Sequence, residues 1–339
     1  MRAVLISPDP SSNAGGVERF CHTLAGVLER DGWSTELVGP TLRVPAALAR
    51  AAAGPSIQAV SATRAARRRS ADLVISNGFL GGPTSAPRIH VFHGTMVRHV
   101  AAGVTGSRRY RLREAIAGSV PEALCGRGAT VVAVSGTTAS ELHRYYRQRV
   151  DAVIANGVDT ELFSPGDRAL ARQRLGLDAA DRYALFVGRF EHRKGADLVP
   201  EACRRAGFRL LVAGSGAPDG ATSLGVLAPG PLADVYRAAD CVVLPSRYEA
   251  CSFVVLEALA SAVPLITTAV GWMCDLLSRL PGYRRWIIDP DVDQLAGALS
   301  ELEPDPELIS KARTYVVHEN SLEAFGRQWL ELIREVRER

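Results

Sequence analysis

The sequence predicts an α/β protein made of two domains, each built around a parallel sheet. Short β-branched runs such as Cys241–Leu244 alternate with longer segments of helical periodicity, which is the pattern of repeated strand–helix units. A chain of 339 residues suggests about two domains, and a hydrophobic content of 47% is enough for two cores. Asn156-Gly157 predicts a turn that opens a hinge over Val158–Pro165, so we place the domain boundary there.

The first half begins with a strand–helix unit. A strand at 2–7 leads through Gly15-Gly16 into a helix near 17–30, whose apolar face carries Phe20, Leu24, Val27 and Leu28. The glycine pair would let backbone amides approach a diphosphate or an acceptor oxygen; the alternative is an ordinary flexible loop. The G-x-G-x-x-G dinucleotide fingerprint is absent. Later strands are predicted at 34–38, 72–75, 88–92, 130–134 and 152–155, with an Ala/Arg-rich helix before residue 72 and a helix from Ser135 through Arg144.

The second half repeats the strand–helix pattern. Strands are predicted at 183–187, 210–213, 223–227, 241–244 and 263–266, with helices at 234–239 and ahead of Pro264. The turn at Gly214 follows one strand, and the backbone of the strand that ends at Leu227 could meet a nucleobase. Residues 322–339 form an amphipathic helix whose apolar stripe is Phe325, Trp329, Leu332, Ile333 and Val336.

The net charge of +4 is unevenly distributed. Residues 1–165 hold 19 arginines and 12 acidic residues, a net +7, whereas residues 166–339 hold 21 basic and 24 acidic residues, a net −3. A run of arginines predicts an acidic or membrane-surface partner, and the alternative is a solvated helix face. Its members are Arg98, Arg108, Arg109, Arg111 and Arg113.

Six cysteines lack zinc spacing and C-x-x-C pairs, so we predict reduced packing residues in a cytoplasmic protein. Residues 1–6 are too short for a signal-peptide core and predict a first strand instead. The apolar stretch 252–274 has transmembrane length, but Glu257 and Pro264 interrupt it. A helix, a stop and a strand are the better interpretation.

The segment Pro245–Glu257 places two carboxylates eight residues apart across a loop-to-helix junction. Ser252 is a candidate N-cap, so Glu249 lies in the loop and Glu257 in the second helical turn. A helix N-terminus directs N–H groups and partial positive charge at its loop, which suits a phosphate, and carboxylates accept hydrogen bonds from sugar hydroxyls. We expect Glu249 to have no adjacent cation. The helix start is Ser252, Phe253 and Val254.

Two further loops follow predicted strands and carry chemistry. His93-Gly94 lies at the carboxyl end of the strand 88–92, where ligands meet open α/β sheets, although a solvent-facing loop histidine is the alternative. Gly188-Arg189 through Lys194-Gly195 follows the strand 183–187. Arg189 and Lys194 could both reach a diphosphate, and the alternative is a surface charge pair.

These motifs, in this order, resemble those of retaining glycosyltransferases of family 4. The resemblance runs along nearly the whole chain, through the two glycines after the first strand, His93-Gly94, Asn156-Gly-Val-Asp159, the Gly188–Gly195 loop and the two carboxylates. It departs at Ala250-Cys251-Ser252, where the family usually has Gly-Phe-Gly, and at Gly271-Trp-Met-Cys-Asp275, where Gly-Gly and Glu are more usual.

The resemblance implies the GT-B fold, with two Rossmann-like domains facing across a cleft. Residues 1–160, with helix 321–339 packed back on them, would bind the acceptor, and residues 161–320 would bind a nucleoside-diphosphate sugar, most simply of UDP or GDP. It implies transfer of the sugar with retention to a sugar-containing or anionic acceptor. The implied catalytic residues are His93, Glu249, Arg189 and Lys194. The implied donor-binding residues are Gly15, Gly16, Gly214, Leu227, Ser252, Phe253, Val254 and Glu257.

Three other functions remain open at this stage. Paired carboxylates also serve glycoside hydrolases, but that explains neither Arg189 nor Lys194. An auxiliary subunit that binds sugar nucleotides without catalysis would fit the departure at 250–252, whereas a dehydrogenase lacks its glycine fingerprint. No Asp-x-Asp has a convincing loop context, since Asp289-Pro-Asp291 follows an apolar strand far from the motif loops. We therefore expect no metal. We also expect no cofactor and no nucleic-acid partner, and the basic half of the chain predicts a peripheral contact with the inner membrane face.

Overall fold

The computed structural model describes residues 1–12, 15–41, 54–103 and 118–338. Contacts within the chain divide it into two compact units, one formed by Met1–Gly157 with Leu322–Arg339 and the other by Val158–Ser321. Each unit contains one sheet, and all strand pairs in both sheets are parallel. The predicted α/β class with two parallel-sheet domains is confirmed.

The first unit has a six-stranded sheet with the order β2-β1-β3-β4-β5-β6. Its strands are β1 (Arg2–Ile6), β2 (Ser34–Val38), β3 (Leu73–Asn77), β4 (Arg88–Phe92), β5 (Thr130–Ala133) and β6 (Ala152–Val153). Its first helices are α1 (Gly16–Arg30), α2 (Gly54–Arg67), α3 (Met96–Gly103) and α4 (Gly136–Glu141), which continues as a π-helical turn over Leu142–Tyr146. Residues 118–125 are also helical.

The second unit has a five-stranded sheet with the order β11-β10-β7-β8-β9. Its strands are β7 (Tyr183–Val187), β8 (Arg209–Ala213), β9 (Thr222–Gly225), β10 (Cys241–Leu244) and β11 (Leu265–Thr267). Its helices are α5 (Arg168–Leu175), α6 (Val199–Ala206), α7 (Pro229–Ala238), α8 (Phe253–Ala260), α9 (Trp272–Arg279), α10 (Val292–Ser300) and α11 (Pro306–Asn320), with 3-10 turns at His192–Lys194, Ala196–Leu198 and Pro281–Trp286. The last helix of the chain, α12 (Leu322–Glu338), belongs to the first unit.

Helices α1 and α12 pack together through the apolar faces that the sequence predicts. The Phe20 ring lies edge-on to Phe325 and Trp329, with centroid distances of 5.9 and 5.6 Å. All three side chains are no more than 1% exposed. Burying an aromatic or large aliphatic side chain stabilises a fold by roughly 1.5–3 kcal/mol, so these rings hold the C-terminal helix on the first unit.

Several predicted element limits are wrong, each for a local reason. Strand β9 ends at Gly225 rather than Leu227, because Gly225 turns the chain with a φ of 66°. Strand β11 begins at Leu265 rather than at 263, because the Val263 amide still bonds to the Ala258 carbonyl at the end of α8. Helix α7 begins five residues earlier than predicted, at Pro229, whose fixed φ suits a first helical position.

The apolar stretch 252–274 divides into helix α8 and strand β11, as predicted, and ends in the start of α9, which the sequence analysis did not predict. Across the described ranges, no helix has both the length and the apolar character needed to cross a membrane.

Both sheets reverse their strand order at one point, and several of the candidate residues lie at these two points. In the first sheet the chain moves outward from β1 to β2 and then returns to β3 on the other side of β1. In the second sheet it moves from β7 through β8 to β9 and returns to β10 on the other side of β7. Ligands of open α/β sheets bind outside the carboxyl ends of strands at such switch points. The loops after β1 and β3, and those after β7 and β10, are therefore the expected binding loops.

Candidate active site

Glu249 follows strand β10 and faces two cations from the neighbouring loop. Its Oε1 lies 3.3 Å from Lys194 Nζ and 3.6 Å from Arg193 Nη1, and Ser246 Oγ donates to the same oxygen at 3.4 Å. The expectation that Glu249 lacks an adjacent cation is wrong. Burial raises the pKa of this carboxyl, but Lys194 and Arg193 outweigh burial, so that the pKa falls below its ordinary value. Glu249 is ionised at neutral pH.

The loop after β7 presents its basic residues in two directions. Lys194 ends the 3-10 turn, and its side chain is only 14% exposed beside Glu249. Arg189 is 73% exposed, and its guanidinium lies 3.7 Å from Glu191. The structure thus brings Lys194 and Glu249 together and leaves Arg189 at the surface of this unit.

Arg193 is part of this cluster, and the sequence analysis missed it. Its Nη2 donates to Glu191 at 2.7 Å, and its Nη1 donates to the backbone oxygen of Tyr248 at 3.0 Å. Arg193 therefore ties the loop after β7 to the loop after β10. The available signal was its place beside Lys194 in the same turn, but sequence does not show which basic side chain points inward.

Arg247 joins the same two loops from the other side. Its backbone N–H donates to the Arg193 carbonyl at 2.8 Å, and its Nη1 donates to the His192 carbonyl at 2.6 Å. The guanidinium also makes a two-pronged contact with Asp197, at 2.7 and 2.9 Å. Two-pronged arginine–carboxylate contacts fix geometry as well as charge, so the Glu249 loop is held at a defined distance from Lys194.

Helix α8 begins directly after this loop, with its N-terminus at the switch point. Ser252 occupies the N-cap position, as predicted, but its hydroxyl makes no capping bond. Phe253 and Val254 follow as the first helical residues. The first amides of any helix lack partners within the helix and carry partial positive charge, which suits a phosphate oxygen. The binding of the donor by Ser252, Phe253 and Val254 stays a prediction.

Glu257 lies in the second turn of α8, where the sequence places it, and is buried. It is 1% exposed and accepts a hydrogen bond from the Tyr236 hydroxyl at 2.7 Å. Its assignment to the donor ribose stays a prediction, and the hydrogen bond from Tyr236 helps to orient its carboxylate.

Gly214 and Leu227 occupy different places in this unit. A Cβ on Gly214 would overlap the backbone oxygen of Gly188, so only glycine lets the loops after β7 and β8 approach this closely. Leu227 is half-buried and lies two residues beyond the end of β9. The backbone that could meet a nucleobase is therefore loop rather than strand at Leu227.

His93 follows β4 in the first unit and is anchored by two neighbours. Its Nε2 lies 2.9 Å from Asn77 Oδ1, and its ring is edge-on to Phe20 with a centroid distance of 4.8 Å. Burial lowers the pKa of His93 to about 4, so the imidazole is neutral at neutral pH. The alternative of a solvent-facing loop histidine does not fit this environment.

Helix α1 begins at the predicted glycine pair. Gly15 is the N-cap, and a Cβ there would overlap the Glu18 carboxylate, which lies over the helix start. Gly16 is the first helical residue and has open space around its Cα. A negative side chain at a helix N-terminus is favourable, so an incoming phosphate would have to displace Glu18 from this position.

Three further sequence features were the arginine run, the aspartates near residue 291 and the six cysteines. Arg98 Nε lies 3.7 Å from Glu141, whereas the other four members of the arginine run lie outside the described residues. Asp291 caps α10 by accepting from the amides of Asp293 and Gln294. All six cysteines are free thiols, of which five are buried.

Two parallel-sheet units of strand–helix repeats, each with candidate binding loops at its switch point, are the architecture of glycosyltransferases of the GT-B fold. Residues 14–162 match the family described as Glycosyltransferase Family 4, and residues 167–318 match Glycosyl transferases group 1. The two matches together cover nearly all of the chain between residues 14 and 318. The chain therefore belongs to the glycosyltransferase family that these two descriptions share.

Named relatives and solved structures agree with the assignment. A D-inositol 3-phosphate glycosyltransferase of Segniliparus rotundus is 34% identical over 213 residues, which cover 52% of this chain and 46% of the relative. The match thus spans about half the length of that protein. A sucrose-phosphate synthase from Thermosynechococcus elongatus superposes with a TM-score of 0.80 at 23% identity, covering 99% of this chain and 98% of the other. Anabaena Alr3699/HepE, solved with UDP and glucose, gives 0.72 at 17% identity and covers 99% and 100%.

Proposed function

We propose that this protein transfers a sugar from a nucleoside-diphosphate sugar to an acceptor hydroxyl. The observation that carries the proposal is the contact of Lys194 and Arg193 with Glu249 at the switch point of the second unit, beside the start of helix α8. A cation, a helix N-terminus and an ionised carboxylate at one place suit a ligand that is part anion and part polyol. A nucleotide sugar is such a ligand.

The residues would act by stabilising the leaving group and holding the sugar. Lys194 and the first amides of α8 would contact the diphosphate and stabilise the charge that develops as the bond to the sugar breaks. A diphosphate that contacts Lys194 would weaken the ion pair between Lys194 and Glu249. The carboxylate oxygens of Glu249 could then accept hydrogen bonds from sugar hydroxyls. Arg189, at the surface of the same loop, would reach the outer phosphate oxygens. Retention of configuration follows from the family resemblance alone.

Chemistry and the relatives together support a proposal for the donor and acceptor classes. Anabaena Alr3699/HepE binds UDP and glucose, which supports UDP as the donor nucleotide, with GDP as the alternative. The Segniliparus rotundus relative carries the name of an inositol-phosphate enzyme, and the net +7 of residues 1–165 suits an anionic acceptor such as a phosphorylated sugar or lipid-linked glycan. A peripheral membrane contact through the arginine run belongs to the same proposal.

Transfer is expected to persist in excess EDTA, because Lys194, Arg193 and Arg189 supply positive charge around the diphosphate. At 4 Å a unit charge pair is worth about 1 kcal/mol in water and about 4 kcal/mol near a protein surface. Three cations and a helix N-terminus could therefore replace a divalent ion. The measurement is a thermal-shift screen with UDP, GDP, ADP and TDP, followed by transfer assays with the matching sugars, with and without EDTA.

The outcomes of this assay distinguish the proposed metal-free transfer from three alternatives. Activity lost on chelation and restored by Mg²⁺ or Mn²⁺ would contradict the metal-free mechanism but leave glycosyl transfer standing. Nucleotide binding with neither transfer nor donor hydrolysis would favour the auxiliary-subunit alternative, to which the departure at Ala250-Cys251-Ser252 points. An absence of any nucleotide-dependent shift would contradict the proposed function itself.

A further inference from the structure

Asn77 is the last residue of β3 and connects two neighbouring strands of the first unit. Its side chain is buried, with only 2% of the residue exposed. Its Nδ2 donates to the Ile6 carbonyl at the end of β1, at 2.9 Å. Its Oδ1 lies 2.9 Å from His93 Nε2, just after the end of β4. One amide thus joins the carboxyl ends of three strands at the switch point.

These two contacts determine where the hydrogen atoms are. The Ile6 carbonyl can only accept, so the Asn77 atom that faces it must be the NH₂ group. The Asn77 atom that faces His93 is then the carbonyl oxygen, which also can only accept. His93 Nε2 must therefore carry a hydrogen. Because burial lowers the pKa of His93 to about 4, the ring is neutral at pH 7 and Nδ1 keeps its lone pair.

We propose that Asn77 is a positioning residue that holds His93 as the Nε2–H tautomer, so that Nδ1 acts as a hydrogen-bond acceptor for a hydroxyl of the reactants. The identity of the reactants rests on the proposed function. A bare Nδ1 accepts from an O–H group and offers no hydrogen to a phosphate oxygen. His93 thus selects a sugar or acceptor hydroxyl and disfavours the diphosphate at this position.

The residues around His93 keep its ring neutral and in the Nε2–H tautomer near pH 7. Phe20 on α1 packs edge-on against the ring and is itself held by Phe325 and Trp329 of α12. Two titratable neighbours are Cys21, which the Asn77 amide contacts, and His90 on β4. Burial raises the pKa of Cys21 to about 12 and lowers the pKa of His90 to about 3, so both are neutral.

The test is ¹⁵N NMR of the full chain labelled at its seven histidines, with His93 assigned by the loss of its signals in His93→Gln. We expect wild-type His93 to show a protonated Nε2 and an unprotonated Nδ1, with no titration above about pH 5, since its pKa lies well below the ordinary value. Asn77→Ala or Asn77→Ser removes the amide oxygen and should give a mixture of tautomers. Asn77→Asp places a carboxylate beside Nε2, which should raise the pKa of His93 into the observable range.

His90 is the internal control, because its Nε2 lies 2.9 Å from the Gly78 carbonyl and its tautomer does not depend on the Asn77 side chain. Unchanged His90 signals show that the β3–β4 pair is intact. In Asn77→Ala we also expect kcat to fall about tenfold while nucleotide affinity holds, as for a lost hydrogen bond of about 1.4 kcal/mol.

Two results would overturn the proposal: wild-type His93 protonated at Nδ1, or a tautomer that stays the same in both Asn77→Ala and Asn77→Ser. The wild-type spectrum decides the first even where a variant does not fold. Neither spectrum depends on sugar transfer. The expected spectra in a chain that transfers no sugar would therefore contradict the proposed function and not the positioning role of Asn77.

Discussion

Lys194→Ala is expected to lower kcat/KM for the donor at least about 100-fold, the order of loss seen when one group that stabilises developing negative charge is removed. Lys194 Nζ lies 3.3 Å from Glu249, so the variant loses the proposed diphosphate contact and also alters the environment of Glu249. The steady-state kinetics should show a fall in kcat together with weaker nucleotide binding. Lys311→Ala is the matched control, because Lys311 is the chain's other lysine and its side chain is 59% exposed beside Glu307.

The same substitution is expected to destabilise the second unit, and the two effects can be separated. Glu249 is 15% exposed, and without Lys194 its nearest cation is Arg193 at 3.6 Å. Removing one partner of a fully buried ion pair costs about 3–5 kcal/mol, much of it from the charge left behind, and we expect a smaller loss here because both side chains are partly exposed and Arg193 remains. Neutralising that charge in Lys194→Ala/Glu249→Gln should recover part of the stability but none of the turnover. Turnover and nucleotide affinity equal to those of Lys311→Ala would contradict the role of Lys194.

Much of the strand pattern could be predicted from the sequence, because buried parallel strands are continuous apolar runs. The limits predicted for β7 and β10 agree with the structure, and both strands are fully buried apolar runs. The limits predicted for β4 also agree, although Arg88 and His90 interrupt its apolar residues. Element ends were less predictable where backbone turns decide them. Gly225 ends β9 with a left-handed conformation, and nothing in the sequence distinguished it from a glycine within a strand.

In the candidate site, the positions of the loops could be predicted from the sequence, but the directions of their side chains could not. Sequence identified the loops that carry Arg189, Lys194 and Glu249, because loops after neighbouring strands of a parallel sheet share one edge. It did not show that the 3-10 turn directs Arg193 and Lys194 inward while Arg189 points outward. That difference depends on the close approach of two loops, which Arg193 makes by donating to the Tyr248 carbonyl.

Asn77 was missed for a related reason. Its sequence context indicates only the polar end of a strand, and the residues that its side chain contacts include Ile6 and His93, 71 and 16 positions away. Only the strand order β1-β3-β4 makes these three neighbours. A sequence pattern that is read locally therefore finds His93 but not the residue that orients it.

Gly271→Ala is expected to destabilise the second unit by about 3 kcal/mol or more. Gly271 precedes α9 with a φ of 57°, a conformation that costs other residues of order 1–3 kcal/mol. A Cβ there would also overlap the backbone oxygens of Glu249 and Ala250. Since the Trp272 amide donates to the Ala250 carbonyl at 2.7 Å, the start of α9 supports the Glu249 loop from behind. Displacing it should weaken donor binding as well as stability.

Gly297→Ala is the matched control for this substitution. Gly297 lies within helix α10 of the same unit, and a Cβ there would meet no atom within 4 Å. Alanine at an unstrained helical position should be neutral or stabilise by up to about 1 kcal/mol, because it restricts the unfolded chain and favours helix. Urea denaturation and nucleotide titration of both variants provide the measurement. Suppose that Gly271→Ala and Gly297→Ala have equal stability and equal nucleotide affinity. The added methyl group would then have been accommodated without moving the carbonyl groups that it must overlap. That result would mean that the Glu249 loop does not depend on the close approach of Gly271.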